Sequence, residues 1–316
     1  MPEVALAGFV ETRADRAAQV AAELGVRAYP SLDALLDDVD ALTIVVPTPD
    51  HHAVATAAIA RGKHLLIEKP IAATLEEADA LVTQAERTGV VVQTGHVERF
   101  NRAVRAALPY VGAPRFVEVD RLAPFNPRGS DVAVVLDLMI HDIDLVRVLV
   151  GGPVLDVHAV GVPVLTPSVD IANARLTFGS GAVANITASR VSRERMRKLR
   201  LFQPSGYLSL DLGTGSGMFY RLREELDPSV LAAAPQALEA FMEVIPLQAP
   251  EGEPLRLEFE SFVDAVQARA PVAVSARDGR DALEIALRIV REIERTLPSL
   301  RGAAAVPGAP AGDAER

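Results

Sequence analysis

Short apolar runs alternate with amphipathic stretches of helical spacing over the first hundred residues. The apolar runs predict strands over 4–10, 41–46, 64–68 and 90–94, and the 3.6-residue spacing predicts helices over 13–24, 31–36, 50–60 and 75–88. Gly25, Gly62 and Gly89 stand where helix-ending glycines are expected. Strands that alternate with helices build a parallel sheet covered by helices, so the fold class of this part is α/β, Rossmann-like and doubly wound.

From about Pro114 the pattern changes. A long helix over 133–149 is followed by strand-like runs over 154–162, 170–178, 182–189, 198–202, 207–211 and 218–222, which predict a large, mostly antiparallel open sheet and an α+β fold class. Two more helices fall over 255–268 and 276–297. The expected domains are a dinucleotide-binding domain over 1–115, a substrate-binding and oligomerisation domain over 116–300, and an Ala/Gly/Pro-rich disordered tail over 301–316.

Composition narrows the function classes. The 316 residues are 49% hydrophobic and 23% charged, enough for two cores. A formal net charge of −10 argues against a general nucleic-acid binder, whose affinity rests on neutralising phosphates. With no cysteine there is no disulfide, thiolate metal site or thiol nucleophile. Neither a secretory leader pattern nor a membrane-length apolar run is visible, so no membrane partner and a cytoplasmic location are expected.

Two constellations carry candidate chemistry. The strand over 64–68 ends in Glu68-Lys69-Pro70; Pro70 stops the ladder and biases Lys69 toward extended backbone, at the sheet edge where α/β folds bind ligands. A lone lysine after a strand is ordinarily solvated, and the surrounding β-α series is what marks this one. Asp137, His141 and Asp144 then lie at i, i+4 and i+7 of an otherwise apolar helix, where such a stripe is costly unless bonded or lining a cleft. An imidazole there suits proton transfer from a hydroxyl as hydride leaves the same carbon. The alternative is a salt-bridged helix face, with His141 partnering Asp137 and Asp144 capturing Arg147. Three groups on one helix without a fourth ligand do not suggest a metal.

A dinucleotide-binding sheet normally opens with a strand, a Gly-rich turn and a helix. No G-x-G-x-x-G occurs in the first hundred residues, and the strand over 4–10 ends at Glu11, where an acidic side chain would bond a ribose hydroxyl. The chain therefore reads as entering the fold at its second strand, with a first unit of roughly 25 to 30 residues expected upstream of Met1.

Glu68-Lys69-Pro70 followed by Asp137-x-x-x-His141-x-x-Asp144 resembles the Gfo/Idh/MocA family of nicotinamide-dependent oxidoreductases, over nearly the whole chain. The resemblance implies a Rossmann domain followed by a domain with a large open sheet, through which a homodimer or homotetramer would form. It implies that Lys69 contacts the nicotinamide ribose and the substrate hydroxyl, that His141 is the general acid/base and that Asp137 orients. Pro47-Thr48-x-x-His51 resembles the family's loop beside the cofactor, which adds Pro47, Thr48 and His51 to Glu68, Lys69 and Pro70 as cofactor-binding residues. Thr94-Gly95-His96 with Arg99-Phe100-Asn101 resembles the segment near the substrate, which adds His96, Arg99 and Asn101 to Asp137 and His141. Met139 and His96 depart from the residues frequent at those positions, as does the missing Gly-rich loop.

Glu11 favours NAD, because a carboxylate repels a 2′-phosphate, while Arg13 keeps NADP open; the alternative for Arg13 is a solvated helix start. Six basic residues between Arg190 and Arg200 suggest a receiver for a phosphorylated substrate, or else a solvated loop and a charged sheet edge. The stretches over 170–178 and 188–202 resemble members that act on the 3-hydroxyl of UDP-N-acetylglucosamine. The expected function is thus hydride transfer between nicotinamide and a secondary hydroxyl of a sugar or nucleotide sugar. A non-catalytic, cofactor-sensing protein of the same fold is the alternative, and an acyclic-diol or biliverdin-type reductase fits less well because the helix histidine is intact.

Overall fold

A computed structural model describes residues 1, 3–127, 132–222 and 241–303. The chain packs as two units, residues 1–105 with 250–284, and residues 106–249 with the described residues from 285 on. The boundary expected near 115 is close to the first crossing, but residues 250–284, expected in the second domain, pack with the first.

The first unit opens with β1 (Gly8–Phe9), α1 (Ala14–Leu24), β2 (Arg27–Ala28) and α2 (Leu32–Asp38), followed by β3 (Ala41–Ile44), α3 (Thr48–Ala60), β4 (His64–Glu68), α4 (Leu75–Thr88), β5 (Val92–Gly95) and the short α5 (Arg102–Ala107). Pairing is parallel throughout, β1 with β2 and β3-β4-β5 in order. Among the described residues no strand joins β1 to β3, so the parallel sheet is in two pieces. β1 is far shorter than the run over 4–10, because a strand is held only where a neighbour bonds it; Leu6 and Val10 beside it are exposed, as are Val45 and Val46 beyond β3. α4 starts with a capping box in which the Thr74 hydroxyl accepts from the Glu77 amide and the Glu77 carboxylate accepts from Thr74.

The second unit is an eight-stranded sheet formed by β6 (Phe116–Leu122), β7 (Val154–Val162), β8 (Ile171–Phe178), β9 (Val183–Ser189), β10 (Met196–Gln203), β11 (Gly206–Asp211), β12 (Ser216–Leu222) and β13 (Met242–Pro246), in the order β13-β12-β11-β10-β6-β9-β8-β7. Only β6 and β9 are parallel neighbours. Alternate residues such as Val117, Val119, Ile186, Leu199 and Leu201 form a buried face, and α6 (Ile140–Val150) packs against β9. On the opposite face Phe116, Phe202, Tyr207 and Tyr220 stack across four strands, with centroids 5.9, 5.4 and 4.6 Å apart. β6 is not among the expected strands, because a charge, Arg121, stands at an inward position of its alternation; it faces inward, 4% exposed, because it has a buried partner.

Residues 250–284 cover the edge of β5. Thr94 N–H donates to Val274 O at 2.9 Å, and Gln93 and Ser275 form an antiparallel bridge. α7 (Pro254–Val266) packs against the tight turn Val97–Phe100 that follows β5. α8 (Ala276–Ala303) begins over Thr94, and Gly279 is required there because a Cβ would collide with the threonine side chain. α8 runs past the expected end at 297; beyond Ala303 the expected tail lies outside the described residues. Among the described residues no helix is long and apolar enough to cross a membrane.

Candidate functional site

In the first unit the carboxyl ends of β3, β4 and β5 present the expected cofactor and substrate residues. Lys69 follows β4 directly and is half-buried, and the peptide bond to buried Pro70 is cis. The Glu68 carboxylate turns back to accept the Lys69 amide at 3.2 Å. It does so over Gly95, where a Cβ would stand only 3.3 Å from the Glu68 carboxyl, so the absence of a side chain on β5 makes room for it.

His51, on the first turns of α3, is 1% exposed. Its Nδ1 is 2.8 Å from Pro70 O and its Nε2 is 2.9 Å from Val46 O. Carbonyl oxygens only accept, so the ring donates wherever it carries a proton, and to both as an imidazolium. His51 thus ties the end of β3 to the turn that carries Lys69. Pro47 caps α3 with its carbonyl, 2.9 Å from Asp50 N, and half-buried Thr48 opens the helix.

Glu11 lies beyond β1 and accepts from the Arg13 amide at 2.9 Å and from the Thr12 hydroxyl at 3.3 Å. The Arg13 amide above all holds this carboxylate below its ordinary range. The Arg13 guanidinium is turned to Asp15, 3.1 Å away, in an exposed pair. A half-exposed, charged Glu11 suits a ribose diol. The pyrophosphate cradle of main-chain amides is not found among the described residues, so the fit to a dinucleotide is carried by Glu11 and the strand ends around Lys69.

The segment after β5 is more internal than its motif suggests. His96 is 1% exposed. Asn101 donates to the Glu98 carboxylate at 3.0 Å and accepts from the Ala103 amide at 3.0 Å, which opens α5. Arg99 donates to Ala273 O and pairs with Asp278, both at 3.2 Å, so it fastens the start of α8.

In the second unit the helix with Asp137 and His141 is not uniform. A π-helical stretch, Val135–Met139, precedes α6, and this wider turn changes the phase between Asp137 and the residues that follow. Asp137 and His141 are half-buried, whereas Asp144, expected on the same face, is buried, its carboxylate 4.0 Å from Arg147. The salt-bridged alternative therefore describes Asp144. Asp142, which the spacing argument passed over, binds Arg121 through two contacts of 2.7 Å and fixes α6 on β6. A buried arginine on a strand was the available signal, masked by its charge.

The basic run over 190–200 disperses. Arg190 is 3% exposed and bonded to Asp170 at 2.9 Å. Arg200 pairs with Glu118 at 2.8 Å, and Lys198 lies in register between Asp120 and Asp211. β10 is a central strand, so a sheet edge does not describe the cluster, whereas Arg193 and Arg195 are exposed in the connection between β9 and β10, as the solvated-loop alternative expects. Among the described residues no group of three His, Asp or Glu side chains is placed to hold a metal.

Comparison with known proteins agrees with these features. Residues 1–96 match the profile of an oxidoreductase family with an NAD-binding Rossmann fold, and residues 105–209 match a GFO/IDH/MocA C-terminal domain. The chain is 41% identical, over 92% of its length and 91% of the relative, to UDP-N-acetylglucosamine 3-dehydrogenase of Acidithiobacillus ferrooxidans, whose solved structure superposes with a TM-score of 0.84. It is 26% identical, over 90% of its length and 84% of the relative, to scyllo-inositol 2-dehydrogenase (NAD(+)) of Bacillus subtilis. Levoglucosan dehydrogenase in complex with NADH and levoglucosan, at 19% identity, shares the fold with a TM-score of 0.79 over 92% of this chain and 88% of that one. Family profiles over both units and a relative at this identity give one result: the chain belongs to the Gfo/Idh/MocA family of NAD-binding oxidoreductases.

Proposed function

We propose that this protein is an NAD-dependent dehydrogenase that oxidises the 3-hydroxyl of UDP-N-acetylglucosamine. The observation that carries the reading is 41% identity across 92% of the chain to a dehydrogenase of that name, beside which Lys69, Asp137 and His141 stand in segments that resemble the family's motifs. Bound nicotinamide supplies the hydride acceptor. Lys69, carried on a turn held by His51 and Glu68, binds the substrate hydroxyl and the ribose beside it. His141 accepts the hydroxyl proton as the carbinol C–H bond breaks and the ketone forms. Asp137 orients the imidazole or the substrate, and Glu11 selects a free 2′-hydroxyl. Two copies of the chain pair through the open sheet face that carries the stacked aromatic rings, where Met218, Leu222 and Val244 are also exposed.

The test is nicotinamide absorbance with NAD and UDP-N-acetylglucosamine against a panel of free sugars. Turnover with the nucleotide sugar is expected. Lys69→Met and His141→Ala each lower kcat by about 100- to 10,000-fold, far more than they lower NAD affinity. NAD binding without turnover on any sugar would favour the cofactor-sensing alternative.

A further inference from the structure

We infer that Glu258, which lies outside every recognised motif, is a positioning residue for Lys69: buried with an unpartnered oxygen on the sheet face that carries Glu68, it keeps the Glu68 carboxylate on the Lys69 amide. In β5, Gln93 and Gly95 point to one face, and their register partners Leu66 and Glu68 in β4 point the same way. α7 is fixed to that face by the Gln93 side chain, whose Nε2 donates to Glu258 O at 3.0 Å and lies 3.1 Å from the Ser261 hydroxyl. The Glu258 side chain is thereby buried, 1% exposed, and its Oε1 has no hydrogen-bond partner among the described residues.

Among the described residues no cation pairs with it. On α7 itself Arg256 pairs with Glu260, and Asp264 pairs with Arg269 just beyond the helix. From the turn after β5, Glu98 bonds Asn101 and Arg99 pairs with Asp278, while His96 is buried beside them. From β4 comes Glu68, the charge that acts on it. Burial first, and the Glu68 carboxylate second, push Glu258 up to about 8. Below that point a neutral carboxyl lies behind a charged one. Once Glu258 loses its proton, two carboxylates share the face, and the less buried Glu68 is displaced from the Lys69 amide. Lys69 then loses its fixed position.

The kinetic part of the test rests on the dehydrogenase reading, and the spectroscopic part does not. Difference infrared spectra of wild type against Glu258→Gln, recorded on the full chain at neutral pH, should show the carbonyl band of a protonated carboxyl that fades near pH 8. In kinetics, Glu258→Ala lowers kcat at neutral pH and Glu258→Gln restores it. Wild-type kcat/KM falls to about a tenth by pH 9, and Glu258→Gln lacks that alkaline limb. If the glutamine variant does not fold, titration of the same band in wild-type protein labelled with 13C-glutamate decides. Absence of a protonated carboxyl at neutral pH, or an unchanged alkaline limb in Glu258→Gln, overturns the inference. A band without turnover on any sugar leaves it standing and overturns the enzyme reading instead.

Discussion

Glu258 in the first unit and Asp170 in the second are both buried carboxylates, and their surroundings are built in opposite ways. Glu258 in the first unit has an oxygen without a partner and a neighbouring negative charge, so it holds its proton to about pH 8. Asp170 in the second unit is equally inaccessible. It accepts from the amides of Val164, Leu165 and Thr166, from the Thr166 hydroxyl and from Arg190, at 2.6 to 2.9 Å. Burial works against the Asp170 charge, yet these donors hold the carboxyl well below its usual range. Depth of burial therefore does not decide the state of a carboxyl; the donors around it do.

The comparison breaks most sharply at Asp170. Asp170→Ala strands the Arg190 guanidinium in the interior and costs about 3–5 kcal/mol, read as a lower denaturant midpoint for the second unit. Next comes pH. Glu258 is raised from 4.5 in the unfolded chain to about 8, so its contribution is fully present below about pH 4.5 and is lost as pH rises through the folded value. By pH 7 the drift amounts to about 3 kcal/mol against the first unit, and Glu258→Gln should flatten a plot of melting temperature against pH. Asp170 has the opposite sign, with stability present above about 3.8 and lost as pH falls. Alkaline melts should therefore begin in the first unit and acid melts in the second; the same unit failing first at both extremes would refute the comparison. The smallest effect belongs to Arg200, half-exposed beside Glu118, where Arg200→Ala costs less than about 1 kcal/mol and less still in salt.

Much of this architecture is legible in the sequence because it is local. The strand over 64–68, its Glu-Lys-Pro ending and the helix over 75–88 follow from apolar runs, proline chemistry and a Thr-x-x-Glu start. Asp137 and His141 stand out in the sequence as polar groups on an otherwise apolar helix. Asp144 is not separable from them by spacing, since an α-helical period cannot register a π-helical turn. β6 stays hidden because its inward Arg121 is explained only by Asp142, twenty-one residues later. The cover of β5 and the place of Glu258 are the least legible, because they depend on contacts more than 160 residues apart in the chain.

That long return has a consequence for how the protein is made. β5 leaves the ribosome early, but its edge partner Val274 and the clamp on Gln93 arrive only after the whole eight-stranded sheet has been synthesised. At ordinary elongation rates the interval is roughly 10 to 40 s. During that time the nascent first unit exposes an unpaired strand edge to other chains. Newly made protein should therefore depend on chaperones well after its first hundred residues have emerged, and a chain stopped before α7 should aggregate rather than fold.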